Sequence, residues 1–466
     1  MNKFILYLLF TLFIHSFFYS QDSINSIVSS KFNLDFSIGI RTTTAANTAN
    51  LRSINRSIHY LIDDRIAWMK RRDKKQVFLK ATSRFLRYAA IDRQISFNIM
   101  LYNHEVFGHA ASLNDLNFTF SAYYQPIYFY LTRKYTKKFI SIFLNFDKAN
   151  YQKVGFATVF SKINSNYNYH PTQYMSIAAS GVMAENLYHI DCQEQWVKNN
   201  TIPYSDATAY IETSIDNFRY ILAGDEYGYG GDMGNYLFHL NMFYNPSIFN
   251  NGNYIYESVV PLIGEKFKIK SSDFHRANYL TAFSDPNFYF SLFSIGNYII
   301  RGESYTRLPL LRLGKVKFMP AISLVLAPFG LEYNLRTPLV FPNKKMHLQF
   351  RYGEAYGRNY FGLGLKLSNL VCKKDFVLSP HFEVFSQPKM YFGNSKSSNE
   401  PYQKIGGNGF IADVLIEKKI PSSPLYLSAR IGYKTAGFVL GESLKATPII
   451  QFGFGTELTT LRKNKL

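Results

Sequence analysis

Two histidines and a glutamate fall within the six-residue run HEVFGH, His104 to His109. Neutral imidazoles bind transition metals, and a carboxylate beside a metal-bound water can take its proton. Zinc catalysis asks for three protein ligands, an open position for water and a nearby base. His104 and His109 offer two ligands, and Glu105 offers the base. Their spacing sets a geometric condition. The familiar zinc helix, H-E-x-x-H, places its histidines four apart, whereas here they stand five apart. On a regular α-helix such residues point about 140° from each other, and both rings cannot reach one ion. A π-turn with i→i+5 bonding removes the mismatch, and Gly108 tolerates a widened turn. The expectation is a π-turn across Val106 to Gly108 with both imidazoles converging.

HEVFGH matches the pattern H-E-x-x-G-H and so resembles the zinc signature of the dipeptidyl peptidase III family of metallopeptidases. The resemblance implies that His104 and His109 bind zinc and that Glu105 is the catalytic base. It also implies that a glutamate from a later helix completes the ligands. It covers six residues, and that family's second signature, a glutamate-rich stretch with an arginine, has no match here. What it implies is a gluzincin-like Zn2+ site acting on a peptide or protein substrate.

The third ligand must come from elsewhere in the chain. Glu185 is the only carboxylate in the otherwise apolar stretch SIAASGVMAENLYHI, and carboxylates are normal third ligands. Ala178, Ala179, Ser180, Gly181 and Ala184 give that stretch a small-residue face on which another helix can approach closely. His189, one turn further on, is a candidate proton donor, outer partner or substitute ligand, although a lone histidine of this kind is ordinarily a core residue. The acidic, glycine-rich stretch GDEYGYGGDMGNY reads as a turn with helix caps, and its Asp232 is also suited to orienting a zinc-bound histidine. No phosphate-binding glycine loop and no G-x-S-x-G nucleophile turn occurs.

The elements that must position these residues read as helices. Ile62 to Met69, Phe78 to Tyr88 and Ile95 to Leu113 carry apolar residues at helical intervals. Between Leu116 and Phe160 the chain turns aromatic and β-prone, and helical character returns from about Gln173 to Phe243. Residues 21–310 therefore read as a helical, metallohydrolase-like domain with a β-rich insertion.

After about Lys315 the period becomes two. Met346, Leu348, Phe350 and Tyr352 alternate with His347, Gln349 and Arg351, and the scheme recurs in about eight segments. Glu332, Arg336, Arg351, Lys366, Glu383, Arg430 and Glu457 share the polar face. Strands of about 9–11 residues that alternate apolar and polar suit an outer-membrane barrel, and a soluble sandwich gives the same alternation. The expected fold class is α+β, with residues 311–466 forming an antiparallel β-barrel of about eight strands.

The chain of 466 residues begins with Lys3, an apolar stretch from Ile5 to Phe18 and a small-residue site near Ser20. This is the layout of a signal peptide over residues 1–20. No later run reaches the roughly 20 apolar residues of a spanning helix. Two cysteines, Cys192 and Cys372, allow one disulfide at most. The net charge of +20 is scattered, as in KRRDKK and RKYTKK, which reads as a solvated surface. Export argues against nucleic acid as a partner. The expected location is the outer membrane or periplasm of a Gram-negative-type envelope, with outer-membrane lipid against the barrel. The rival reading is a non-enzymatic channel or adhesin whose helical half plugs or caps the barrel.

Overall fold

The computed structural model describes residues 28–37, 44–65, 76–116, 119–124, 157–162, 170–222, 231–244, 269, 271–342, 344–355, 358–373, 375–392, 403–423 and 425–460. The proposed signal peptide and Asp225 and Glu226 of the acidic stretch lie outside them.

Strand β1 (Val28–Ser37) precedes helices α1 (Thr44–Arg65) and α2 (Val77–Arg87). A π-turn (Tyr88–Asp92), α3 (Arg93–Tyr102), a second π-turn (Asn103–Ala110) and α4 (Ala111–Asp115) continue α2, so the run over 77–115 is widened twice. The hairpin of β2 (Thr119–Tyr124) and β3 (Ala157–Lys162) follows, the described part of the β-rich insertion. Next come α5 (Pro171–Asn199), β4 (Thr201–Pro203), α6 (Tyr204–Leu222), α7 (Asp232–Tyr244), α8 (Ser271–Ser284) and α9 (Pro286–Arg301). Local chemistry sets several of these ends. His170 caps α5, accepting from the Thr172 N–H ahead of Pro171, and Asn200 ends the helix in the left-handed region at φ 52°. Asp285 with Pro286 starts α9, and Gly302 at φ 72° stops it.

Strands then take over: β5 (Tyr305–Arg307), β6 (Leu311–Leu313), β7 (Val316–Phe318), β8 (Ala321–Ala327), β9 (Gly330–Val340) and β10 (Lys345–Ala355). They continue with β11 (Arg358–Ser368), β12 (Val371–Lys373), β13 (Phe376–Phe392), β14 (Gln403–Lys419), β15 (Leu425–Lys434) and β16 (Thr447–Thr460). The main sheet has twelve strands in the order β1-β16-β15-β14-β13-β11-β10-β9-β7-β6, with β12 on β13 and β8 on β9. All its pairings are antiparallel. The chain is thus a mixed protein, helical toward the N-terminus and dominated by a large antiparallel sheet toward the C-terminus. Among the described residues the sheet has two ends, β1 and β6, and does not close into a barrel. It also exceeds the expected eight strands, and it takes β1 from the N-terminal segment to pair with β16.

The two faces of this sheet differ in polarity, the exposed one apolar and the covered one charged. Leu348, Phe350, Phe361, Leu363, Phe382, Leu427, Phe452 and Phe454 are exposed, whereas Glu332, Arg351 and Glu383 are buried. Arg351 joins both glutamates, with Nε and Nη2 at 2.9 and 2.8 Å from Glu332 and Nη1 at 2.5 Å from Glu383. Helix α5 lies against the polar face. Asn186 Nδ2 donates to Leu324 O of β8 at 2.8 Å, Lys366 Nζ meets Glu194 at 2.6 Å, and Thr172 Oγ1 donates to Tyr391 O of β13 at 2.8 Å. No described helix is long and apolar enough to cross a membrane. The helical core packs Tyr188, Trp196, Tyr204, Tyr210 and Tyr298 between α5, α6 and α9. A second cluster joins α5, α7 and α8 to β8 through Ala179, Tyr236, Phe274 and Leu326. Cys192 is free and buried in the first of these clusters.

Candidate metal centre

The second π-turn runs from Asn103 to Ala110 and spans HEVFGH. It brings the two imidazoles together, with His104 Nε2 and His109 Nε2 3.2 Å apart. The close approach of α5 holds the turn in place. Gly108 abuts Gly181, and a Cβ on Gly108 would stand 2.7 Å from the Gly181 Cα. A Cβ on Gly181 would in turn run into the His104 ring. Asn103 Nδ2 donates to Ala184 O at 2.8 Å and ties the start of the turn to the same helix. The small-residue face of α5 therefore acts as the seat for the histidine-bearing turn.

Each histidine commits its Nδ1 to the protein. His109 Nδ1 lies 2.8 Å from Ile177 O, a carbonyl that can only accept, so this nitrogen carries the proton. His104 Nδ1 lies 2.6 Å from Glu185 Oε1. In the neutral rings the two Nε2 atoms are then bare lone pairs facing each other. A carboxylate joins them: Asp232 Oδ2, in the first turn of α7, stands 2.7 Å from His109 Nε2 and 3.5 Å from His104 Nε2. Three electron-pair donors at such separations repel unless a proton or a cation sits among them. Ligand atoms about 2.0–2.1 Å from a tetrahedral zinc lie about 3.4 Å from one another. The observed separations of 2.7, 3.2 and 3.5 Å straddle that figure.

The electrostatics agree. Burial opposes charge on His104, but hydrogen bonds to Asp232 and Glu185 outweigh it and hold the pKa well above the usual imidazole value. His109 is likewise raised, burial being overcome by Asp232. Burial pushes Asp232 up, yet His109 and the hydrogen bonds from both rings hold it below the ordinary carboxylate range. Burial lifts Glu185 to about 8 against the pull of His104. The carboxylates thus make the pocket a place for positive charge, and a metal cation binding there would displace protons from the same lone pairs.

His104, His109 and Asp232 thus form a group able to hold a metal ion, and His104, Glu185 and Asp216 form a second that shares His104. Of the residues singled out from the sequence, His104, His109 and Glu185 are brought together. Glu105 is half-buried in the same π-turn, and its charge reaches both rings. Glu185 stands at the Nδ1 end of His104, away from the point where the two Nε2 atoms meet. His189 belongs to neither group. Its ring packs 4.1 Å from that of Tyr210, its Nε2 faces Tyr210 O and Ser214 Oγ, and burial with Arg336 lowers its pKa to about 3. The sequence reading gave Asp232 only an orienting role and missed Tyr220. The Tyr220 hydroxyl donates to Asp232 Oδ2 at 2.9 Å, and its ring packs 5.0 Å from that of His104. Nothing in the local sequence marks Tyr220, because only the docking of α6 against α7 gives it a partner.

Comparison with known proteins finds no matching family model, no matching curated protein and no matching solved structure.

Proposed function

We propose that the protein is an exported zinc-dependent hydrolase of metallopeptidase type, whose helical half is held at the outer membrane by a barrel-like antiparallel sheet. The observation that carries the proposal is the π-turn that points His104 Nε2 and His109 Nε2 at Asp232 while an acceptor holds each Nδ1. In this reading His104, His109 and Asp232 are the ligands, and Glu185 is the carboxylate that fixes the tautomer and raises the basicity of His104. A zinc ion held there supplies a Lewis acid that polarises a carbonyl and acidifies water. Glu105, next to the first ligand, receives the water's proton as general base. Tyr220 keeps Asp232 turned toward the histidines through its hydroxyl. The exposed apolar face of the sheet supports contact with outer-membrane lipid, and its buried polar face supports a polar interior occupied by α5.

Metal analysis and hydrolysis of a quenched peptide library test the proposal. The wild type is expected to hold about one zinc per chain, and Glu105→Gln to keep the metal and lose turnover. A metal-free wild type, or undiminished turnover by Glu105→Gln, overturns it. A second reading, a channel or adhesin with a helical plug, draws on α5 lying along the charged face of the sheet. Steady conductance in planar bilayers, unchanged by His104→Ala and accompanied by no hydrolysis, would favour it.

A further inference from the structure

Helix α2 is inside out. Lys80, Arg84 and Arg87 face inward, while Val77, Phe78, Leu79 and Leu86 face outward, with Phe78 85% exposed. The cationic groups are used within the protein. Arg84 Nε and Nη2 donate to Ile299 O and Ile300 O at 2.8 and 3.0 Å, covering carbonyls at the end of α9, and Arg87 pairs with Asp92 at 3.1 Å. Two other helices also expose apolar residues. Leu292 and Ile300 of α9 and Tyr279 and Phe283 of α8 are exposed as well.

We propose that this helical face lies in the acyl-chain region of a lipid bilayer, as the apolar face of the sheet does. The inference rests on the outer-membrane reading above and adds the helices to the lipid contact. Two observations carry it. First, an amphipathic helix facing water turns its lysines and arginines outward, and α2 does the reverse, just as the sheet buries Arg351 and Glu383 and exposes Phe350 and Leu363. The same inversion on two unrelated kinds of element calls for one apolar surrounding. Second, a short connection joins the two surfaces along the chain. α2 packs on α9, which ends at Arg301, and the chain then enters the edge strand β6 at Leu311, where Leu313 is also exposed. β6 is one of the two strands at which the described sheet ends.

Nitroxide labels on the full-length chain in phosphatidylcholine–phosphatidylglycerol vesicles test this. Phe78→Cys and Leu86→Cys are made with Cys372→Ser, Cys192 being buried, and Phe350→Cys reports on the sheet. Collision with molecular oxygen, which partitions into acyl chains, is compared with collision with a water-soluble nickel chelate. The expected result is oxygen access several-fold above nickel access at 78 and 86, as at 350. Nickel access at 78 and 86 with oxygen access at 350 overturns this inference and leaves the outer-membrane reading standing. Nickel access at all three positions overturns both. Low access to both probes at 78 marks a protein contact, such as a second copy, and also overturns the inference.

Discussion

His104 and His109 each spend one ring nitrogen on the protein and present the other to Asp232, an arrangement that in the proposed metal site separates ligands from the groups that aim them. The separation predicts an order of effects. Glu185→Gln keeps the shape and a hydrogen-bonding group behind His104 and should weaken zinc binding by about 10–100-fold, the usual cost of losing an outer partner. Asp232→Ala removes a ligand and should weaken it further. Chelator-competition titrations of both variants check this. If Glu185→Gln were the more damaging, the ligand roles of Glu185 and Asp232 would exchange, as the sequence alone suggested. The sequence made the histidine pair legible because a five-residue spacing has one simple helical solution, the π-turn that is found. It left the role of Asp232 hidden because that role depends on how the start of α7 docks against the π-turn, and tertiary packing of that kind leaves no trace in a spacing.

At the scale of elements, the contact between the π-turn and α5 is set by Gly108 and Gly181. Gly181→Ala places a methyl in the His104 ring, and Gly108→Ala places one on the α5 backbone. Each should destabilise the protein by about 1–3 kcal/mol, typical of overpacking, and lower zinc content. Gly296 of α9, around which a Cβ meets nothing, is the control, and Gly296→Ala should be neutral or stabilising by about 0.4–1 kcal/mol. Thermal melts of the three variants decide the matter. The cap of α5 gives a pH prediction. Burial lowers the pKa of His170 to about 4, so between about 6.5 and 4 the unfolded chain binds a proton that the folded chain does not. Stability should fall as pH drops through that window, by up to about 3 kcal/mol, and this contribution is complete above it. His170→Asn retains a capping side chain without the titration. Its stability should therefore decline less than that of the wild type in urea unfolding at pH 4.5 against pH 7.5. Periodicity showed which residues share a face of α2 or of β10 but not which face looks outward. The apolar face of α2 was for that reason illegible as a surface until its neighbour α9 was in place.

The sheet buries Glu332, Arg351 and Glu383 and exposes Phe350, Phe361 and Phe452, a pattern that favours the proposed membrane wall over a soluble sandwich, two readings that sequence alternation alone does not separate. In water, Phe350→Arg on the exposed face would relieve an apolar patch and leave stability within about 0.5 kcal/mol. Facing lipid near the bilayer midplane, the same arginine costs about 2–4 kcal/mol, as would Phe452→Arg on β16. On the opposite face, Arg351→Met leaves Glu332 and Glu383 buried without their cation and should cost about 3–5 kcal/mol in either setting. Refolding from urea into lipid vesicles, followed by protease protection, reads all three. The membrane wall requires Phe350→Arg and Phe452→Arg to shift the folding midpoint to lower urea. If both fold as readily as the wild type while Arg351→Met fails, the sheet is the outer layer of a water-soluble protein. The lipid contacts assigned to the sheet and to α2 would then fall together, while the histidine centre, which depends on neither, would stand.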